Sequence, residues 1–550
     1  MKKTAILLCL IMIFGVLAVP VSASNELREP TDVPKVIITT SQSLSRDYID
    51  CTVEIIDEKG GTYEAIRDSK SKVKIRGNST SSGAKKPFNI KFSGKTDVLG
   101  MGKNKKWCLL ANCYEKTLIR NQTVFDFADS IGLAYTPSYR VVDVYHNNKL
   151  LGTYLLTDAV EASETRVDID NEANEFILER DARTDEGTVY FTTERYGIRM
   201  GINEPEEPTS EQYNWLMDFL KKAENALASN NYENVKKYFD IESMIDFYIV
   251  LELFKNVDVD TGSTRFYIKD GKIYGGPCWD FDLSSGNCSS SYYTTYNNVN
   301  GSGKSYEGIW CTSLWFGQLL RYNKFREAVY ARYADLQDEI INLYSDNGLG
   351  KNYIDSTIEK YSGTIDRNYN EAGWKIGKVY SDLERIPDRT YEANVEFYRS
   401  WLMNRNEWLL KQWKLDGINN IGNGSGATKE GYYLVGIGEK VRVDDFLSGF
   451  IQGSKLVGKD GEIAGDKYVS TGSAVTRGGA SYFVLIRGDV AGNGIVDKYD
   501  YIKIKRICLN TYAPDHIDSI VSDINEDDKI NAFDYILVKR HVLGTIDIFD

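Results

Sequence analysis

The sequence is poor in histidine, with only three such residues in 550: His146, His516 and His541. A histidine-based catalytic triad or a histidine-rich zinc site is therefore nearly excluded for the main domain. Cysteine is also sparse. The chain has eight cysteines, of which Cys9 lies in the N-terminal apolar run and seven lie after it. An odd number without framework spacing does not predict a disulfide-stapled fold, although Cys278–Cys288 and Cys108–Cys113 bridges stay open.

Long apolar runs are missing after the first 19 residues. The N-terminus has two lysines, an apolar run from Ala5 to Val19 and the small-residue sequence Val21-Ser22-Ala23, the pattern of a secretory signal peptide at 1–23. We therefore expect an exported chain without a membrane span. Excess positive charge is missing as well, and the net charge of −13 argues against nucleic acid or an anionic membrane surface as a partner.

Two acidic twelve-residue segments, Asp489–Asp500 and Asp523–Asp534, repeat 34 positions apart near the C-terminus. Oxygen side chains occupy positions 1, 5, 9 and 12 of both, and position 3 of the second, which is the ligand spacing of an EF-hand calcium loop. The candidate ligands, with position 7 included, are Asp489, Asn493, Ile495, Asp497 and Asp500 in the first loop, and Asp523, Asn525, Asp527, Lys529, Asn531 and Asp534 in the second. The sequence thus predicts two Ca²⁺ sites.

The repeat differs from a full EF-hand in three ways. Position 12 is Asp rather than Glu, Ala491 removes a ligand at position 3 of the first loop, and Asp528 stands at position 6 of the second, where glycine is usual. Each loop leads into a matching helix-prone segment that ends in Lys-Arg. Residues 487–548 therefore resemble a dockerin, which implies an all-α, calcium-dependent module that binds a cohesin module of a scaffoldin.

The rest of the chain divides into a strand-rich part and a helical part. Short β-prone runs extend from residue 35 to about 200, and helical patterns follow Glu204–Pro208, with one hairpin at Thr264–Gly275. We interpret residues 35–415 as one large α+β unit. Residues 416–431 form a Gly/Asn/Ser-rich linker, 432–486 a small β module, and 487–550 the acidic repeat.

Two acidic groups in the middle of the chain could carry chemistry. Asp258 follows an apolar helix and precedes a glycine-containing turn, where a catalytic base could lie. Asp280 and Asp282 flank Phe281, so in an extended segment both carboxylates face one way while Phe281 packs the other way. Such a pair suits a Mg²⁺ ion that also holds phosphates. Helix, loop Asp, hairpin and Asp-Phe-Asp follow the order seen in protein kinases.

Seven ordered motifs extend this likeness over most of the domain. They are Lys74–Thr80, Lys85–Lys91, Trp107–Asn112, Leu118–Asn121, Leu151–Asp158, Asn256–Asp258 and Gly276–Asp282. With these motifs, residues 35–415 resemble the spore-coat-protein-H (CotH) kinase family of secreted atypical protein kinases. The resemblance implies a two-lobed kinase-like fold that transfers the γ-phosphoryl group of ATP to a protein hydroxyl.

The same resemblance assigns roles to individual residues. Asp258 would orient or deprotonate the acceptor hydroxyl, Asp280 would hold Mg²⁺ with support from Asp282, and Ser263 stands where a conventional kinase has a second metal-binding Asn. Lys91 is the first choice and Lys86 the second for a phosphate-contacting lysine. Arg76 and Arg120 are candidates either for binding phosphate or for a structural ion pair.

The sequence thus favours a secreted component of a cellulosome-type scaffold, with a dockerin and an ATP- and Mg²⁺-dependent kinase that phosphorylates Ser or Thr of another protein. Two alternatives stay open. The chain could be a noncatalytic structural or binding component. It could also be a polysaccharide-degrading enzyme, although Asp280 and Asp282 are too close in sequence to flank a sugar.

Overall fold

A computed structural model describes most of the chain. The described residues are 32–57, 61–182, 188–288, 303–346, 351–374, 390–413, 428–430, 433–450, 454–477, 480–527 and 529–549. The predicted signal peptide, most of the predicted linker 416–431 and Asp528 lie outside these ranges.

The N-terminal part is a closed barrel of seven strands in the order β1-β2-β3-β4-β5-β7-β6. The strands are β1 Lys35–Thr39, β2 Ile49–Ile56, β3 Ile66–Ile75, β4 Phe88–Asp97, β5 Lys103–Leu110, β6 Tyr139–His146 and β7 Lys149–Asp158. Neighbouring strands are antiparallel except β1 and β6, which close the barrel in parallel. Asn147 and Asn148 join β6 to β7 with positive φ values, as a two-residue hairpin turn requires.

A five-stranded sheet in the order β12-β11-β8-β10-β9 follows the barrel. Its strands are β8 Phe176–Arg180, β9 Val189–Thr192, β10 Arg199–Glu204, β11 Thr264–Lys269 and β12 Lys272–Gly275. The hairpin between β11 and β12, predicted from the sequence, turns at Asp270 and Gly271, both at positive φ. This turn returns the chain toward the Asp280 segment.

Helices surround this sheet and contact the barrel. They are α1 Arg120–Ser130, α2 Ser210–Ala228, α3 Tyr232–Val235, α4 Ile241–Leu253, α5 Phe316–Leu319, α6 Asn323–Asp335, α7 Gln337–Asn342, α8 Tyr353–Lys360, α9 Ser362–Asp366 and α10 Tyr391–Gln412. Thr209 and Gln212 form a capping box at the start of α2, and Asp240 caps α4. One continuous apolar core, from Val33 to Trp413, joins barrel and helices. The α+β content predicted from the sequence is confirmed.

Two helices predicted as continuous are interrupted. The segment expected as one helix from Trp315 to Tyr344 consists of α5, α6 and α7, and the segment from Tyr353 to Tyr369 consists of α8, α9 and a π-helical turn at Arg367–Glu371. That turn contacts the barrel, because Asn368 Oδ1 accepts hydrogen bonds from Lys85 Nζ at 2.8 Å and from the Thr153 N–H at 3.1 Å. Tertiary contacts therefore override the helical periodicity of the sequence here.

A fully buried ion pair joins α4 to α10. Arg405 donates to a Glu252 carboxylate oxygen at 2.6 Å, and neither side chain is exposed. Glu252 also accepts the backbone N–H groups of Trp310 and Cys311, and the Trp310 indole donates to the Asn256 carbonyl at 2.7 Å. The network thus holds the chain just before Asp258.

Replacement of Arg405 by Met is expected to lower the free energy of unfolding by about 3–5 kcal/mol, because Glu252 would keep a buried charge without its counterion. Urea denaturation monitored by tryptophan fluorescence measures this change. Lys411→Met on the same helix is the matched control, since Lys411 is exposed and its replacement is expected to change stability by about 0.5 kcal/mol or less. Equal losses in the two variants would contradict the prediction.

The described C-terminal part holds a third sheet and four helices. The sheet order is β13-β14-β18-β17-β15-β16, with strands β13 Thr428–Glu430, β14 Tyr433–Val435, β15 Lys455–Gly458, β16 Gly461–Ile463, β17 Ala474–Arg477 and β18 Ala480–Val484. A short helix, α11 Val443–Ser448, interrupts this predicted β module, and α12 Lys498–Cys508, α13 His516–Ser522 and α14 Ala532–Val542 follow it. Asp497 and Asn531 cap α12 and α14 with identical capping boxes, as the sequence repeat requires.

The cysteines form no disulfide in the described part of the chain. Cys51, Cys108, Cys113, Cys278, Cys288, Cys311 and Cys508 are free thiols, and all but Cys508 are buried. Neither bridge left open by the sequence is therefore present. None of the helices in the described ranges is both long and apolar enough to cross a membrane.

Candidate active site and calcium loops

A cavity of about 860 Å³ lies between the barrel and the five-stranded sheet. The barrel side contributes Lys74, Arg76, Asn89 and the Ser79–Thr80 turn, whereas Glu179, Asp258, Ser263, Arg265, Trp279, Asp280 and Asp282 come from the other side. The volume suits a ligand of nucleotide size. Asp258, Ser263, Asp280, Asp282 and Arg76, which were predicted from sequence, therefore meet in one cavity.

Asp258 begins a tight turn after α4. Its carbonyl accepts the backbone N–H groups of Thr261 and Gly262, each at 2.9 Å, and its own N–H donates to the Asn256 side chain. Thr261 Oγ1 donates to one carboxylate oxygen of Asp258 at 3.0 Å. The turn thus orients the carboxylate toward the cavity, where Asp258 is half-buried.

The Asp-Phe-Asp segment adopts a bent rather than an extended conformation. Asp280 lies in the left-handed region, with φ of 61°, which Asp tolerates better than most residues. Its Oδ2 accepts a hydrogen bond from Ser263 Oγ at 3.1 Å. Phe281 is fully buried against Phe254, and both aspartates line the cavity. As expected, Phe281 packs into the core while the two carboxylates line the cavity, but a turn rather than an extended segment produces this arrangement.

Two asparagines, which the sequence analysis did not single out, position this segment. Asn121, near the start of α1, accepts the Phe281 backbone N–H at 2.8 Å and donates to Asn112 at 3.2 Å. Asn112 donates in turn to the Leu118 carbonyl. Both lie in motifs that carry the family resemblance, which was the available signal. The contact itself was hidden because Asn121 lies 160 residues from Phe281 in the sequence.

The carboxylates create a strongly negative end of the cavity. Burial, and then the charges of Asp280, Asp258 and Glu115, raise the pKa of Asp282 well above its ordinary value. A cation would relieve this repulsion, so the donor set fits a hard metal ion. Within the described ranges, no three His, Cys, Asp or Glu side chains lie close enough together to hold a metal ion by themselves. Magnesium usually keeps waters and binds substrate phosphates beside one or two carboxylates, so this spacing is compatible with it.

Two arginines of the cavity lining, called the cationic wall below, contact the same tryptophan ring. The Arg76 guanidinium lies 5.1 Å from the centre of the Trp279 ring, and Arg265 lies 5.2 Å from the same centre. Arg265 also donates to Glu179 at 3.1 Å. Sequence reasoning missed Arg265, although an arginine inside the apolar strand β11 was a signal for a buried polar partner. Together these side chains add positive charge to the cavity that the aspartates line.

The other predicted cations lie outside the cavity lining. Lys91 is exposed on β4, and Lys86 donates to the Ser81 carbonyl at 2.8 Å beside the cavity turn. Arg120 is fully buried in an ion pair with Glu115 and contacts the Tyr398 ring. Arg120 thus has the environment of a structural ion pair, and the structure does not bring Lys91 to the aspartates.

The two acidic loops near the C-terminus fold alike. In each, the carboxylate at position 12, Asp500 or Asp534, is fully buried and accepts backbone N–H groups from within its own loop. Burial, with the charges of Asp489 and Asp497, raises the pKa of Asp500 to about 6. Buried carboxylates that repel one another are suited to binding a hard cation, which prefers oxygen ligands. This environment is compatible with the predicted calcium-ligand sets.

The helices after the loops expose an unusual amount of apolar surface. Three pairs related by the 34-residue repeat are exposed: Tyr499 and Phe533, Ile502 and Ile536, and Leu509 and Leu543. Exposure reaches 70% at Phe533. Contiguous exposed apolar side chains typically mark a surface that binds another protein.

The family models match the chain in two places. The model described as CotH kinase protein matches residues 73–409, and the model described as Dockerin type I domain matches residues 487–543. The first match contains every predicted residue of the cavity, and the second contains both acidic loops. No curated protein sequence matches the chain.

Proposed function

The chain belongs to the CotH kinase protein family and carries a C-terminal dockerin domain, and from this premise we propose that it is a secreted, scaffold-docked protein kinase. The barrel and the helical part would be its two lobes, and the transferred group the γ-phosphoryl of ATP. The acceptor would be a Ser or Thr hydroxyl of another protein. The observation that carries this proposal is the meeting of three carboxylates and the cationic wall in one cavity.

Asp258 would act as the base in this reaction. Its carboxylate, oriented by Thr261, would accept the proton of the acceptor hydroxyl, so that the oxygen can attack. An ionised carboxylate can accept several hydrogen bonds, so the Thr261 contact is compatible with acceptance of a further one from the substrate hydroxyl. The turn after α4 keeps this group in place, which lowers the entropic cost of the reactive arrangement.

Asp280 and Asp282 would hold Mg²⁺, with Ser263 orienting Asp280, and Arg76 would bind phosphate oxygens. Magnesium-bound ATP would supply the phosphoryl group and neutralise its negative charge. Asn121 supports the metal-binding segment by holding the Phe281 backbone. Arg265, over the Trp279 ring, also lines the cavity, and its ion pair with Glu179 holds the guanidinium in place.

The dockerin would attach this kinase to a cohesin module of a scaffoldin. The six exposed apolar side chains on α12 and α14 and at their C-terminal ends support this proposal, because they form equivalent sets on both halves of the repeat. Two calcium ions bound by the ligand sets predicted above would hold these helices in place. Docked in this way, the protein would lie outside the cell on a cellulosome-type assembly.

Transfer of labelled phosphate tests the kinase proposal. The full chain, incubated with labelled ATP, Mg²⁺ and a serine-rich basic protein, is expected to label the protein, and Asp280→Asn to reduce labelling by about 10²-fold or more because the metal loses a ligand. Asp270→Asn is the matched control, since Asp270 also has a positive φ but lies exposed at the β11–β12 turn.

Other results would favour the alternatives. Absence of both transfer and nucleotide binding would leave a noncatalytic, scaffold-docked binding component. Release of sugars from plant polysaccharides would point to a polysaccharide-degrading enzyme instead. Equal activity of Asp280→Asn and Asp270→Asn would contradict the assigned metal site.

A further inference from the structure

The β module that precedes the dockerin contacts its first acidic loop directly. The Lys440 backbone N–H donates to the Gly494 carbonyl at 2.8 Å, and the Val496 N–H donates to Glu439 Oε2 at 2.8 Å. On the other side of the loop, the Thr471 N–H donates to Asp489 Oδ2 at 2.9 Å. Three hydrogen bonds therefore connect the module to loop positions 1, 6 and 8.

The approach of the two backbones is unusually close. Gly494 has a positive φ of 77°, and a Cβ atom at this position would lie 2.2 Å from the Val469 carbonyl oxygen of the module. Gly494 therefore allows both the loop turn and the contact with the module. Val496 is buried at the same interface and belongs to the apolar core beneath the loop.

The second loop has a different environment, despite its matching sequence. At position 1, Asp489 is completely buried, whereas Asp523 is partly exposed. Internal hydrogen bonds do not distinguish the loops, because the N–H groups of Asn493 and Asp527 donate to Asp489 and Asp523 at 3.0 and 3.1 Å. The module thus covers the first loop and leaves the second more open.

From these contacts we infer that the β module holds the first calcium loop in its metal-binding conformation, so that residues 433–549 act as one calcium-binding unit. This inference rests on the proposed calcium dependence of the dockerin. Glu439 is the principal positioning residue, because it orients the Val496 N–H without being a member of the predicted ligand set.

The physical reason lies in the missing ligand of the first loop. Ala491 offers no side-chain oxygen at position 3, so this site has fewer ligands than its partner. Prior ordering of a loop lowers the entropic cost of binding and raises affinity without any new ligand. The module therefore compensates for the missing position-3 ligand of the first loop, a position that Asn525 occupies in the second loop.

Calcium titration of the full chain by isothermal calorimetry tests this inference. Asp523→Ala removes the second site and isolates the first, and Asp489→Ala does the reverse. In the Asp523→Ala background, Glu439→Ala is expected to raise the calcium Kd about tenfold, since the partly buried Val496 N–H would lose its partner. In the Asp489→Ala background, the same substitution is expected to leave the Kd within about twofold.

Two controls separate the hydrogen bond from charge and from misfolding. Glu439→Gln keeps an acceptor oxygen and is expected to stay within about threefold of the parent Kd. Glu462→Ala removes an exposed carboxylate elsewhere in the module and is expected to have no effect. Far-UV circular dichroism verifies that each variant is folded before titration.

The outcomes distinguish this inference from the proposed function. The inference would be overturned if the parent chain bound two calcium ions but Glu439→Ala and Glu439→Gln had equal Kd values in the Asp523→Ala background. The calcium-dependent dockerin would then still stand. Absence of calcium binding in the parent chain would overturn both. An equal loss at both sites would also overturn it, because the effect would not be specific to the first loop.

Discussion

Replacement of Asp258 by Asn is expected to lower the rate of phosphoryl transfer by about 10²–10⁴-fold, because the acceptor hydroxyl would lose its base. The amide has the shape of the carboxylate and keeps an oxygen that can accept from Thr261 Oγ1, so the turn after α4 is expected to persist. Nucleotide affinity is expected to change by about threefold or less, since binding does not require the base.

Initial rates at varied ATP concentration separate these two effects. A fall in kcat with an unchanged KM for ATP would assign Asp258 to the chemical step. Asp270→Asn again serves as the control for an Asp-to-Asn change in the same part of the fold. A variant that keeps its rate within about tenfold of the parent would exclude Asp258 as the base and point to another cavity carboxylate.

Chelation of calcium is expected to lower the thermal midpoint of the C-terminal unit by roughly 15–30 °C. In the described part of the chain, the core beneath α12–α14 has only eight buried apolar residues, so little apolar burial offsets the repulsion among its buried carboxylates. Calcium at about a thousand times its Kd contributes about 4 kcal/mol of stability, which is lost when the ion is removed. Cohesin binding is expected to disappear with it.

Differential scanning calorimetry of the full chain, with and without a calcium-selective chelator, measures this shift. The transition of the barrel-containing domain is expected to stay unchanged, which provides an internal control. A double variant, Asp489→Ala with Asp523→Ala, is expected to show the lower midpoint without chelator and no response to it. A C-terminal midpoint that is insensitive to chelation would contradict the calcium-dependent fold.

Local sequence patterns predicted several features of the structure correctly. The turn Asp270-Gly271 gave the β11–β12 hairpin, because only a few residue types adopt two successive positive φ values. The repeat predicted matching helices after both acidic loops, and these begin with identical capping boxes. Such features depend on interactions within a few residues, which a single sequence displays directly.

The candidate site was predictable only in part. Asp258, Asp280 and Asp282 stand in a recognisable order, and the structure brings them to one cavity. The cationic wall was harder to predict from the sequence. Lys91, the first-choice lysine, is exposed to solvent, whereas Arg265 lies over the Trp279 ring in the cavity. Which side of a strand a cation occupies depends on barrel register, and register is set by pairing partners far away in sequence.

The sequence by itself determined the order of the chain's parts, the family motifs, the two repeated acidic loops and the three aspartates. Tertiary structure alone decided that β1 pairs in parallel with β6, that Asn121 holds Phe281, and that Glu439 reaches the first acidic loop. The reason is physical: ligand spacing and turn conformation depend on local covalent geometry. Contacts between residues far apart in sequence depend on how the apolar core packs and on which strands pair in which register.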